Sequence, residues 1–296
     1  MLTEQRAELI NGIFSSGGRK SAVFLTVLLS SFLLSGCLVR FMYDWLDVYA
    51  AWKIDDYFDI TRSQKSSLYS ELDGIIAWHR RSELAKYSAY LREISAAAEK
   101  PLSEAQVRDF LDRAYEMSRD LLRHSAPSMN RLAARLSDEQ IKSYLADRTR
   151  HQQNDRDDFM KEHGVKAHRK FKKQLVSSLE YALGSIEPSQ QHYVDTLAGW
   201  YVIIYPKWLD YEELWVNELV RTFGERGKPA FEKDIILLFL NAPELGGGRY
   251  SEFIRMYNDK LVRWISDFSA RLTPEQREHF RERLDDLADE LDSIGR

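Results

Sequence analysis

Cys37 is the only thiol in 296 residues. Leu34, Ser35 and Gly36 precede it, and small side chains at such positions are what a membrane protease needs ahead of a scissile bond. Only cysteine supplies a sulfur nucleophile that can take a diacylglyceryl group. The four residues together look like a bacterial lipobox, where the thiol is diacylated and the chain is cut just before it. Arg19 and Lys20 stand upstream, followed by an uncharged run from Ser21 to Val39. That run lies near the lower limit for spanning a bilayer. Serines, a threonine and a glycine dilute it, however, and its densest part, AVFLTVLLSSFLL, has the length of a signal-peptide core. Several acyl chains on one cysteine satisfy the two-signal requirement for stable membrane attachment.

A second chemical grouping is Trp78, His79 and Arg80. An indole, an imidazole and a guanidinium side by side can bind a carboxylate or a sugar, and they can equally satisfy one another where helices pack. The remaining histidines form no ligand set. His163 and His168 are five apart across Gly164, which on a helix puts them on different faces. The acids of NDRDDF, residues 154–159, lack the glycine and terminal glutamate of a calcium loop. No nucleophile elbow, phosphate-binding glycine loop or dinucleotide fingerprint occurs. Catalytic residues, metal ligands and cofactors are therefore not expected.

The elements that must position these groups are helical. Five segments, ITRSQ at Ile60, LSEAQ at Leu102, LSDEQ at Leu136, IEPSQ at Ile186 and LTPEQ at Leu272, end in glutamine three residues after a capping position. That is the capping box, in which Thr61, Ser103, Ser137 or Thr273 accepts a backbone N–H and the glutamine reaches back. Glu187 takes the hydroxyl's place in the fourth. Near the carboxy terminus, Tyr250, Phe253, Tyr257, Leu261, Trp264 and Phe268 form one apolar stripe, and Phe280, Leu284, Leu287, Leu291 and Ile294 form another. Between residues 61 and 100 the stripe slips: Leu68, Leu72, Ile75 and His79 share a face, while Leu84, Tyr87, Leu91 and Ile94 lie about 100° away. A bend or break near Arg80 to Glu83 would reconcile them. Further punctuation is expected at Pro127, Gly164, residues 184–188, Pro206, residues 224–229 and residues 241–248. Trp200, Ile204, Trp208, Tyr211, Trp215 and Leu219 make an aromatic stripe, read first as core packing and second as a client groove. Lys166 to Lys173 is the most basic stretch, read as a solvated face in preference to a lipid-binding one.

With 44% apolar and 12% aromatic residues the chain has material for a core, so a folded chain is expected. Charged residues reach 30%, signs alternate and the net charge is −4, which does not suit a nucleic-acid binder. One cysteine permits no intramolecular disulfide.

Tyr43, Trp45 and Leu46, then Asp55, Asp56, Tyr57, Thr61 and Gln64, then WHRRSELAKY from Trp78 to Tyr87, resemble a family of Gram-negative lipoproteins known only as a domain of unknown function. The similarity covers most of the mature chain. It departs at Ala85, where the family pattern has a proline after the Glu-Leu pair. The resemblance implies a lipid anchor and a helical fold and brings no activity with it. A fainter similarity, of Leu272 to Gln276 to the Leu-Thr-x-x-Gln signature of small periplasmic chaperones of the envelope-stress response, is explained by shared capping physics.

The expectation is an all-α chain, an array of roughly eight antiparallel helices, some long and kinked, after a cleaved signal peptide over residues 1–36. Residues 37–296 are expected to form one periplasm-facing helical domain with a candidate flexible joint at 242–248. Expected partners are the membrane, through lipid on Cys37, and an envelope protein, peptide or glycan. Leu38, where an aspartate would resemble an inner-membrane retention signal, favours the outer membrane. The leading functional reading is a non-catalytic binding or scaffolding lipoprotein. The alternatives are a helical periplasmic chaperone using the aromatic stripe, and an envelope enzyme acting on cell-wall or lipid substrates around Trp78, His79 and Arg80.

Overall fold

The computed structural model describes residues 36–161, 164–240 and 251–296. The signal-peptide reading, the lipobox residues Leu34 and Ser35, His163, and the candidate joint at 242–248 lie outside the described residues. Within them every regular element is helical and no strand occurs, so the fold is all-α. Eleven α-helices are described: α1 Gly36–Asp44, α2 Leu46–Phe58, α3 Arg62–Ser82, α4 Leu84–Ala97, α5 Glu104–Ala133, α6 Asp138–Lys161, α7 Val165–Leu183, α8 Gln191–Gly224, α9 Pro229–Leu240, α10 Ser251–Ser269 and α11 Pro274–Gly295. A 3₁₀ turn, Pro188–Gln190, precedes α8.

All five glutamine-terminated segments start helices. The Thr61 and Ser103 side chains accept the N–H of Gln64 and Gln106, and each glutamine carbonyl accepts the N–H of its capping residue. Ser137 and Gln140 do the same for α6, and Thr273 and Gln276 for α11. The predicted break falls at Glu83, whose N–H closes on His79 O and whose φ of −106° departs from the helix. Two further interruptions carry no glycine or proline. Trp45 separates α1 from α2, and Asp59, at φ 45°, caps α2 in the left-handed region that a short polar side chain tolerates better than most.

The described residues divide into two compact units, one formed by 36–95 with 282–296 and the other by those between 96 and 281. In the first, α2 packs on α3, and Val48, Ala51, Leu68, Leu84, Ala288 and Ile294 are buried. A polar seam joins α4 to the end of α11: Ser88 Oγ donates to Asp292 at 2.5 Å, Arg92 to Asp289 at 2.6 Å and Asp292 at 2.8 Å, and Ser95 to Asp285 at 3.0 Å. Steps of four and three on both helices bring these partners together in antiparallel register.

In the second unit the long helix α8 packs against α6, α7 and α9, and α5 against α9 and α10. Its core holds Leu183, Leu197, Trp264 and Phe268, with Phe171, Leu175, Trp200 and Phe280 packed on them. The Trp264 ring stacks on Phe268 at 5.0 Å, and its indole N–H donates to Tyr193 O at 3.0 Å, so the large aromatic is buried with its polar atom satisfied. The expected punctuation at Pro127 is overturned, because α5 runs through it to Ala133. A proline removes one N–H and strains one turn. Here that turn is held, since Ala126, Ser128 and Ala133 are buried and Asn130 bonds Gly227 N–H, Lys228 O and Glu232 across to the start of α9.

Candidate functional site

The Trp78, His79 and Arg80 trio stands in the last turn of α3, just before the break. The break keeps these side chains half-buried by ending the helix where its stripe would rotate away. The hydroxyl of Tyr43, from α1, lies 3.0 Å from His79 Nδ1 and 3.4 Å from Ile76 O. The Arg80 guanidinium lies over the Tyr43 ring at 5.2 Å and 3.6 Å from the Asp44 carboxylate. Tyr87 of α4 closes the other side, its ring 5.4 Å from His79, while Trp78 lies 6.3 Å away. The structure thus brings His79 and Arg80 together around Tyr43, with Trp78 at the edge.

The electrostatics follow from burial. Desolvation lowers the His79 imidazole below its ordinary value, partly opposed by the Glu83 carboxylate, and raises the Tyr43 phenol, opposed by Arg80. Glu83 is the member that the sequence reading missed. It is 1% exposed, its Oε1 accepts from Lys86 at 2.8 Å, and its Oε2 and the Arg80 Nε have no hydrogen-bond partner among the described residues. The signal available for it was its position at the phase slip. The arrangement fastens one helix to another: α1, whose first two residues are Gly36 and Cys37, is clamped through Tyr43 and Asp44 to the end of α3.

A second candidate is a cleft in the other unit, between α6 and the end of α8, of about 690 Å³. Ile141, Leu145, Ala146, Val220 and Phe223 form an apolar floor, and Asp138, Lys142, Thr149, Arg150, Gln153 and Arg226 a polar rim of mixed charge. Arg226 is paired with Asp138 and Arg150 with Asp147. Val220 is 48% exposed, so the floor is open to solvent. An apolar floor with polar edges is the shape of a binding groove. No local pattern marks it in the sequence, because its two walls lie some seventy residues apart.

The aromatic stripe of α8 is mainly packing. Tyr211 and Leu219 are buried, Trp200 joins the core, and Trp215 donates to Leu238 O at 3.1 Å with its ring against Phe239. Trp208, 48% exposed, is its open member. Among the described residues no group of three metal-ligating side chains converges, and no helix is long and apolar enough to cross a membrane.

The model of a family of unknown function, DUF6279, matches residues 56–251. No curated protein and no solved structure matches the chain.

Proposed function

The chain belongs to this family of unknown function, and from that premise we propose that it is a lipid-anchored envelope protein that binds a partner without catalysis. In this reading Cys37 is diacylated and the chain is then cut just before it, removing residues 1–36, and the mature chain faces the periplasm from the outer membrane. The anchor rests on the sequence around Cys37. The binding role is carried by the cleft between α6 and α8, whose apolar floor and polar rim suit an amphipathic peptide segment of an envelope protein. The clamp of α1 onto α3 serves the same role, since it ties the helix that begins at the anchor to the folded body.

A photo-crosslinking residue at Val220 in the full chain, expressed in cells, should give a discrete envelope-protein adduct. The same residue at the exposed control position Arg255 should not. Equal labelling at both positions, or none at Val220, overturns the binding role. Replacing Cys37 with serine should abolish acylation and cleavage, read by intact mass; a mature, membrane-bound product of unchanged mass overturns the anchor.

A further inference from the structure

Contacts along α1 and α2 assemble a row of aromatic side chains on the side turned away from α3. The Phe41 and Trp45 rings lie 5.7 Å apart. The N–H of Tyr49 bonds Trp45 O at 2.9 Å, which carries the row across the interruption into α2. Tyr49 is one turn beyond Trp45 and three residues beyond Leu46, so the three are neighbours. The Tyr49 and Trp52 rings are 6.0 Å apart, and the Lys53 ammonium lies over Trp52 at 4.7 Å and over Tyr57 at 5.6 Å. Phe41, Leu46 and Tyr57 are 54%, 39% and 48% exposed. Three acids of these helices turn the other way, toward α3. Asp44 lies 3.6 Å from Arg80, Asp55 lies 2.8 Å from Lys65, and Asp47 is within electrostatic reach of Tyr69.

The row is graded along its length. Phe41, Trp45 and Leu46 make its start apolar, Tyr49 and Trp52 add one polar atom each, and Lys53 with the exposed Asp56 and Asp59 closes it. Opposite charges offset at the far end, so no net field selects a charged partner. A protein-binding hot spot sets its apolar anchors centrally within a polar rim. Here the apolar part is instead the end nearest Cys37. At 1.5 Å per residue, Phe41 stands about 6 Å and Trp45 about 12 Å along the helix from residue 37. A chain attached to a bilayer at that residue holds its apolar end at the acyl boundary and its amphipathic rings at headgroup depth, where tryptophan and tyrosine concentrate.

We propose that this face docks on the phospholipid surface to which Cys37 attaches the chain, with Phe41, Trp45 and Leu46 entering the acyl boundary, Tyr49 and Trp52 in the headgroup layer, and Asp56 in water. The docking rests on that proposed attachment. It also needs α1 to be helical, which the contacts of Tyr43 and Asp44 with α3 secure. Burial of rings drives it, not charge.

The test uses the full chain purified from membranes, with a polarity-sensitive fluorophore on Leu46→Cys or, as control, on Ser70→Cys at an exposed position of α3. Each is reconstituted in vesicles of phosphatidylcholine alone or with about a third phosphatidylglycerol. Intact mass reads the state of Cys37 separately. A free thiol there refutes the anchor alone: Cys37→Ser then keeps labelling to one site, and the uncleaved apolar run ending at Val39 holds Phe41 at the surface instead. A chain that stays off the vesicles overturns both readings. A blue shift at residue 46 with quenching by bromolipid, absent at residue 70, is expected in both lipids and in roughly 0.5 M salt. Phe41→Ser should lower the docked-to-free ratio roughly tenfold, and Phe41→Trp should preserve it. No quenching at residue 46, a blue shift without quenching, which marks a protein surface over the face, or equal quenching at residue 70 overturns the proposal. So does loss of the signal in salt, an unchanged ratio in Phe41→Ser, or an equal loss in Phe41→Trp.

Discussion

Gln190 and Gln276 belong to different capping boxes, yet their side chains meet, and removing one should cost more than a cap. Gln190 Nε2 donates to Gln276 Oε1 at 2.7 Å and to Arg271 O at 2.9 Å. Gln276 Nε2 donates to Gln190 Oε1 and to Ser185 O, both at 2.9 Å. Each Oε1 also accepts the N–H of its own cap residue, Glu187 at 2.9 Å and Thr273 at 3.0 Å. Both side chains are buried, at 1% and 2% exposure, with every donor used. Replacing Gln276 with methionine, which nearly preserves volume, forfeits its cap contact, about 1 kcal/mol. It also leaves one N–H of the buried Gln190 amide without its acceptor, about 2 kcal/mol. Each single substitution should therefore cost about 3 kcal/mol. The double substitution strands no buried amide and loses only the two caps, because the Ser185 and Arg271 carbonyls belong to exposed residues and can be hydrated. It should cost about 2–3 kcal/mol, well short of the sum. Urea unfolding followed by far-UV circular dichroism and tryptophan fluorescence, with an unchanged m-value, measures all three variants. A double variant that costs about 6 kcal/mol, additive to within about 0.5 kcal/mol, refutes the shared amide pair.

Two glycines should respond oppositely to alanine. Gly164→Ala imposes a left-handed backbone and drives Cβ to 2.9 Å from Phe159, so it should lower stability by about 2 kcal/mol. Gly74→Ala, mid-helix with nothing within 4 Å, should raise it by about 0.5–1 kcal/mol; a loss in thermal midpoint at position 74 would contradict the packing of α3. Because burial lowers the His79 value, the unfolded chain takes up the proton first as pH falls. The His79 contribution is thus full above the ordinary value of about 6.5 and declines below it, levelling off beneath the lowered value. His79→Gln should accordingly lose less stability than the parent between pH 7.5 and pH 5, compared by urea midpoint, and parallel losses would refute the assignment.

What the sequence disclosed was set by the range of the interaction. Capping operates within four residues, so all five helix starts could be read from Thr61, Ser103, Ser137, Glu187 and Thr273 alone. The break at Glu83 was legible because an apolar stripe that changes phase cannot stay buried on a straight helix. Pro127 misled for the converse reason: its local penalty is real, but buried contacts from Asn130 to α9, about a hundred residues away, outweigh it. Trp45 and Asp59 end helices without a glycine or proline to announce them. The pairing of Gln190 with Gln276, across 86 residues, and the walls of the cleft depend on which helices pack together, which no local pattern encodes.

The trio that looked most catalytic in the sequence has a geometry better suited to holding. A general base should have a value near the working pH and a ring nitrogen free to reach substrate. The His79 imidazole is shifted below its ordinary value by burial, and its Nδ1 is already in contact with Tyr43. Arg80 is similarly committed to the Tyr43 ring and Asp44. Both partners come from α1, a helix of only nine residues that begins at Gly36. A helix that short has little stability of its own and depends on tertiary contacts to persist. If Cys37 carries the lipid, as proposed, the contacts of Tyr43 and Asp44 with His79 and Arg80 lie along the path by which a pull on the anchor reaches α3. Tyr43→Phe combined with Asp44→Asn should then free α1 while leaving the rest of the fold intact. Limited proteolysis of membrane-held protein should cut between residues 37 and 46 in that variant and not in the parent, and equal protection in both would show that α1 is held by other contacts.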